Sequence, residues 1–293
     1  MTLHQQPLQL NSQLQSVLSS EAAEFLATGQ RYELPGRMIW HAWGSDAATT
    51  IVLLHGGSGS WTHWIRNIQP LVAEGYRVLA VDLPGFGDSD APANGGDADA
   101  LVEPLHAAWQ LMRQHDNNIL MGFSFGGMTA ALWLAQYPQD AQTLVMVGAP
   151  GFGLASPKRI PLKGWRHLAT EALQVQAHRH NLMGLMLHDE ANLDEVAMRL
   201  HVLNVVRDRM TRRRLSSTPV LVEAMPKIKC PVHVIYGEFD AFYLDRLPEV
   251  ETMFKQVTPN LVLWQLVKGM GHWVQYENPT GFHRALKHTL SLV

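Results

Sequence analysis

The apolar positions of the chain fall into short runs. Segments 50–54, 77–81, 118–121, 143–147, 232–236 and 261–266 are strand-length and apolar on both faces, the pattern of parallel strands covered by helices on either side. Helical patterns lie between them. In 98–114, Leu101, Leu105, Ala108 and the pair Leu111 and Met112 recur near the 3.6 period. Segment 126–136 is apolar nearly all round, which predicts a buried helix, and Pro138 closes it. Segment 282–293 predicts a final amphipathic helix. The alternation predicts an α/β fold with a mostly parallel central sheet flanked by helices. At its edge, 32–43 predicts an antiparallel hairpin split by Pro35 and Gly36.

One stretch breaks the alternation. Residues 151–217 hold no convincing strand; Pro157, Pro161 and Gly164 punctuate the start, and helical patterns run through 168–187 and 193–210. An insertion of that length is far longer than an ordinary connection, and a lid over a site at the strand ends is its functional reading. The predicted division is therefore a core, 1–150 and 218–293, and a helical cap, 151–217. Met183 and Met186 are expected to pack the cap on the core. Segment 17–28 predicts a short helix outside the main fold, ending near Gly29, that covers the cap or a partner subunit; a homodimer is compatible with it.

Composition narrows the class. Of 293 residues, 46% are hydrophobic and 17% charged, which excludes a disordered chain. The net charge of −3 gives no global pull toward nucleic acid. No apolar run reaches the roughly 18 residues of a membrane span. The single cysteine, Cys230, precludes an intrachain disulfide. With no secretory pattern visible, a cytoplasmic enzyme acting on a small molecule is the expectation.

The chemistry concentrates in loops after the strands. Segment 118–121 leads into Gly122-Phe123-Ser124-Phe125-Gly126-Gly127 and then a helix, the strand–turn–helix context of G-x-S-x-G. Such a turn lifts the Ser124 hydroxyl above the sheet, beside a helix N-terminus that favours developing negative charge. A serine needs a base, and here acid and histidine follow it in that order. Asp240 follows the strand 232–236, with Glu238 two residues away as the rival acid; His272 follows 261–266. All sit at the carboxyl ends of strands, where open α/β sheets place their sites. After 50–54 comes His55-Gly56-Gly57-Ser58-Gly59-Ser60. Two N–H donors for an oxyanion are expected from Phe125 and from Gly57, with Ser58 next. The loop matches neither phosphate-binding glycine pattern.

Other groups read as structural. His55 is expected to turn its strand into the loop, and Asp82-Leu83-Pro84-Gly85-Phe86-Gly87-Asp88-Ser89 has turn composition. Arg207, Arg209, Arg212, Arg213 and Arg214 predict a solvated helix face, with recognition of an acidic substrate or acyl carrier as the alternative. His178 and His180 fall on different helix faces, so no metal site is expected and no cofactor is required.

Taken in order, HGGSGS, DLPGFGDSD, GFSFGG, GEFD and GHW resemble the α/β-hydrolase superfamily over nearly the whole chain, from about Tyr32 onward. Within it, HGG with a nearby Trp, LMLHDEANLDE and GHWVQYENP are similar to meta-cleavage product hydrolases, which split a C–C bond in 2-hydroxy-6-oxo-dienoates. That resemblance implies Ser124, Asp240 and His272 as a triad, Gly57 and Phe125 as oxyanion donors, and Trp273 lining the pocket. The chain departs from that family in carrying Phe123 where an Asn is usual, and His201, with Arg199 two residues off, where a cap Arg grips the substrate carboxylate. Phe123, Trp273 and Ser58 are the residues expected to face the substrate.

The expected activity is therefore that of a serine hydrolase cleaving an ester or thioester of a small, largely apolar substrate. Alternatives are C–C bond hydrolysis of a dienoate, a cofactor-free perhydrolase or haloperoxidase, and a non-enzymatic small-molecule receptor.

Overall fold

The computed structural model describes residues 4–92, 95–154, 161–210 and 212–291. Among them, one sheet is built from β1 (His4–Pro7), β2 (Gln30–Leu34), β3 (Met38–Trp43), β4 (Thr50–Leu54), β5 (Arg77–Asp82), β6 (Asn118–Phe123), β7 (Thr143–Val147), β8 (Val232–Gly237) and β9 (Leu261–Val267). The order across it is β1-β2-β3-β5-β4-β6-β7-β8-β9. Neighbours from β5 to β9 are parallel, and β1, β2 and β3 extend the sheet antiparallel. The described helices of eight residues or more are α1 (Ser20–Ala27), α2 (Val102–Met112), α3 (Phe125–Gln136), α4 (Glu171–Leu185), α5 (Glu195–Val205), α6 (Leu247–Val257) and α7 (Pro279–Leu290).

The inner strands β4 to β8 are buried on both faces, which is why they read as unbroken apolar runs. The edge strand β9, also an apolar run, is half-exposed, with Val262 and Leu266 facing solvent. Alternate residues point to opposite sides. Val52, Leu54, Leu120 and Leu144 pack with Trp109 of α2, Met128 of α3 and Phe254 of α6. Ile51, Leu53, Ile119 and Val145 pack with Phe282 of α7 and, from 151–217, with Leu182 of α4 and Leu200 of α5. β5 and β6 lie on opposite sides of β4, so the chain leaves β4 and β6 in opposite directions. That divergence opens a crevice at their carboxyl ends.

The hairpin at 32–43 is β2–β3, closed by the pair Leu34 and Met38. β1 lies outside it and carries no pattern, its four residues being exposed. The predicted N-terminal helix is α1, but it is not detached from the fold. Leu26 is buried and its carbonyl accepts the indole N–H of Trp43 at 3.1 Å. The single turn Ser12–Gln15 touches α5. Within 151–217 the second helix ends at Val205, short of the predicted 210. Pro157, Leu292 and Val293 lie outside the described residues.

Candidate active site

Ser124 stands between β6 and α3 with φ 52° and ψ −117°, a left-handed conformation that costs a non-glycine residue about 1–3 kcal/mol. Its surroundings hold it there. Its N–H donates to the Val147 carbonyl at 2.7 Å, and its own carbonyl accepts the N–H groups of Gly127 and Met128. The flanking glycines make room: a Cβ on Gly122 would lie 2.3 Å from the Gly126 carbonyl oxygen, and one on Gly126 would lie 2.5 Å from the carbonyl oxygens of Leu54 and His55. The elbow is thus wedged against the end of β4.

The two chain segments after β8 and β9 meet beside it. Asp240 is fully buried; its Oδ2 is 2.7 Å from His272 Nδ1 and its Oδ1 accepts the Phe242 N–H at 2.9 Å. That contact leaves His272 Nε2 on the opposite side of the ring. Phe123 and Phe242 pack on the imidazole with ring centroids at 4.9 and 4.6 Å. Glu238 is engaged elsewhere, accepting the Gly269 N–H at 2.9 Å. Of the two acids weighed, Asp240 is the one that meets His272.

A cavity of about 300 Å³ unites the site. Gly57, Ser58, Phe123, Ser124, Phe125, Phe242 and His272 line it from the core side; Leu162, Leu185, Met186, Arg213, Ser216 and Ser217 line it from 151–217. Phe125 opens α3, so its N–H has no acceptor within the helix; Gly57 faces the cavity from the loop after β4. Ser58 has φ 51° and donates from Oγ to Asp208. Trp273 is not among the lining residues. Its indole N–H donates to the His63 carbonyl at 2.9 Å and its ring stacks on Tyr276 at 4.1 Å, behind the site. His201 does not line the cavity either; it faces His178 between α4 and α5 at 5.3 Å.

Buried histidines brace the loops in neutral form. His55 has Nδ1 2.7 Å from the Gly56 carbonyl and accepts the Leu83 N–H on Nε2, and burial pushes it down to about 4. His63 accepts the Gly56 N–H and is held well below its ordinary value by burial and by neighbouring histidines. Burial also takes His201 down to about 4. Asp82 braces the neighbouring turns, with Oδ1 accepting the Trp61 N–H and Oδ2 that of Asp88. Burial raises its carboxyl, but His41, His55 and the Asp88 N–H outweigh that and hold it below the carboxylate range.

The arginine run corrects the expectation of a solvated helix face. Beyond Val205 the chain leaves the helix and its side chains reach back to core turns. Arg207 pairs with Asp88 at 3.0 Å, Arg209 donates to the Gly87 carbonyl at 3.0 Å, and Arg213 turns into the cavity. Glu277, which no motif singled out, ties the His272 loop to residues 151–217 by accepting the N–H groups of Gly271, His188 and Asp189. Among the described residues no group of three or more His, Cys, Asp or Glu is placed to hold a metal, and no helix is long and apolar enough to cross a membrane.

A family model described as the alpha/beta hydrolase fold matches residues 49–217. The chain belongs to the alpha/beta hydrolase fold family. Within that family it is 29% identical over 256 residues to a 2-hydroxy-6-oxononadienedioate/2-hydroxy-6-oxononatrienedioate hydrolase of Cupriavidus pinatubonensis, covering 81% of this chain and 85% of the relative. Two solved alpha/beta structures superpose closely. A carboxylesterase from Bacillus subtilis gives a TM-score of 0.76 at 19% identity, over 92% of this chain and 94% of that one. An esterase from a Rhodococcus species gives 0.69 at 22% identity, over 90% and 95%. At those identities the likeness is one of fold.

Proposed function

We propose that this alpha/beta hydrolase is a serine hydrolase that cleaves an ester-type bond, carboxylic ester or thioester, in a small and largely apolar substrate. The observation that carries the reading is that Ser124 on its left-handed turn and His272 line one cavity, with His272 Nδ1 2.7 Å from Asp240 buried behind it. In this reading His272 Nε2 takes the Ser124 proton as Oγ attacks the acyl carbonyl. Asp240 fixes the imidazole tautomer and stabilises the imidazolium. The Phe125 and Gly57 N–H groups receive the oxyanion; one such donor is worth about 3 kcal/mol of barrier. His272 then protonates the leaving group, and water repeats the cycle on the acyl-enzyme. Residues 151–217 act as the cap, closing the site with Leu162, Leu185 and Met186. The modest volume and these apolar walls support a short acyl chain.

A p-nitrophenyl ester series tests this. Turnover is expected to be highest with short acyl chains and absent in Ser124→Ala, with the fold retained by circular dichroism. Undiminished turnover in Ser124→Ala would refute it. A second reading rests on the activity named for the 29%-identical relative: the same three residues acting on a dienedioate C–C bond. Loss of the dienoate ultraviolet absorbance, without p-nitrophenyl ester turnover, would favour that reading.

A further inference from the structure

Gly56 and Gly57 both line the cavity, and the peptide between them decides where the Gly57 N–H points. Position 56 must be glycine, since a Cβ there would lie 2.9 Å from the Phe123 ring and 3.3 Å from the Ser124 Cβ. Glycine has little conformational preference of its own. The two backbone dihedrals of Gly56 are therefore set by what its N–H and carbonyl touch.

Two histidines make those contacts. His55 accepts the Leu83 N–H on Nε2 at 3.0 Å, which leaves its ring hydrogen on Nδ1, 2.7 Å from the Gly56 carbonyl oxygen. That carbonyl shares one planar trans unit with the Gly57 N–H, so the two point in opposite directions. His63 holds the other side of Gly56, its Nδ1 accepting the Gly56 N–H at 3.2 Å. The ring can accept there only while neutral, and burial first, then the neighbouring His55, His201 and His272, keep it so. The loop folds closely round this ring: a Cβ on Gly59 would lie 2.3 Å from its Cε1. His63 also reaches the loop of the base. Its carbonyl accepts the Trp273 indole N–H at 2.9 Å, and the two ring centroids are 5.0 Å apart. Trp273 directly follows His272.

We propose that His63 is a positioning residue for the oxyanion: it fixes the Gly56 N–H so that the Gly57 N–H meets the tetrahedral intermediate, and through Trp273 it keeps that donor in register with His272. A donor aimed in advance at the developing charge stabilises the transition state without reorganisation, and a donor free to swing loses that gain. Because Gly56 is conformationally free, the aim has to come from outside the glycine, and His63 lies seven residues further along the chain. The inference rests on the serine-hydrolase reading, and the hold of His63 on Gly56 is measurable without it.

The test uses the full chain, p-nitrophenyl acetate and two ketones as inhibitors. Butyl trifluoromethyl ketone adds the serine Oγ at its carbonyl carbon to give an anionic tetrahedral adduct, while butyl methyl ketone fills the same space without one. His63→Phe keeps an aromatic ring against Trp273 and Phe123 and removes the acceptor. It is expected to lower kcat/KM at least about tenfold and to weaken the trifluoromethyl ketone at least about tenfold, with the methyl ketone changed less than about threefold. That split is one a merely structural role would not give. A folded variant with a smaller loss of kcat/KM, or one that loses both ketones to the same extent, overturns the proposal. If His63→Phe does not fold, His63→Asn and His63→Gln decide, because the Asn Oδ1 falls near the place of Nδ1 and the Gln Oε1 near that of Nε2. An Asn variant at least about tenfold more active than the Gln variant supports the proposal, and a smaller difference overturns it. If the native chain neither hydrolyses the ester nor is captured by the trifluoromethyl ketone, the serine-hydrolase reading fails. Amide hydrogen exchange at Gly56, resolved by nuclear magnetic resonance, then decides on His63 alone. Exchange at least about tenfold faster in the variant without the acceptor supports the hold, and a smaller change overturns it.

Discussion

The carboxylate of Glu277 accepts the backbone N–H of Gly271, the residue that precedes His272. The same carboxylate accepts the N–H groups of His188 at 2.7 Å and Asp189 at 3.1 Å, and the Trp273 N–H donates to the Met186 carbonyl at 2.7 Å. One buried side chain therefore joins the histidine loop to residues 151–217. Burial raises the Glu277 carboxyl above its usual value even though its three N–H partners favour the charge. Glu277→Gln turns an amide NH2 toward N–H donors. A buried group left unpaired costs about 1–3 kcal/mol, so thermal stability is expected to drop by several degrees. If the loop loosens, ester turnover falls with it. Unchanged melting and unchanged turnover would show that the clamp contributes nothing.

The two acids after β8 have separable roles. Asp240 contacts the imidazole and Glu238 holds the Gly269 N–H. Asp240→Asn is expected to lower kcat by about 10⁴ through the wrong histidine tautomer, with the fold intact. Glu238→Gln keeps an acceptor for Gly269 and leaves the imidazole contact untouched, so kcat is expected to change less than about threefold. Kinetics of the two variants on one p-nitrophenyl ester check both; the reverse order would reassign the acid.

Stability should weaken on mild acidification. His55 and His201 lie at about 4 and His63 well below its ordinary value, each chiefly through burial. The unfolded chain takes up these protons near pH 6.5, while the folded chain resists until about pH 4. Folded stability is therefore full above about pH 6.5 and is lost as pH falls toward 4, by roughly 1.4 kcal/mol for each unit of depression at each site. The raised Glu277 acts in the opposite sense, but as one group against three. Calorimetric melting is expected to drop steadily from about pH 7 to about pH 4.5. A flat profile would contradict neutral burial of these rings.

Much of this architecture is legible in the residues. Strands covered on both faces show themselves as apolar runs, and the Gly122 and Gly126 spacing marks the elbow because nothing larger fits there. What periodicity misses is decided by tertiary contact. β1 is polar and exposed, so it has no pattern to read. Trp273 neighbours His272 in sequence, yet its indole turns back onto Tyr276 and His63, and adjacency in a turn does not fix direction. Within Arg212, Arg213 and Arg214 nothing local shows that Arg213 faces the cavity. Its partner Asp208 lies five residues upstream, and its second contact, Ser58, lies 155 residues away.

The central claim is that Ser124 is an activated nucleophile, and covalent capture by a fluorophosphonate followed by peptide mass spectrometry tests it most directly. The expected result is one adduct, on the peptide carrying Ser124, absent in Ser124→Ala and formed at least about a hundredfold more slowly in His272→Ala. Equal labelling of the native chain and Ser124→Ala, or no adduct on Ser124, would contradict the account.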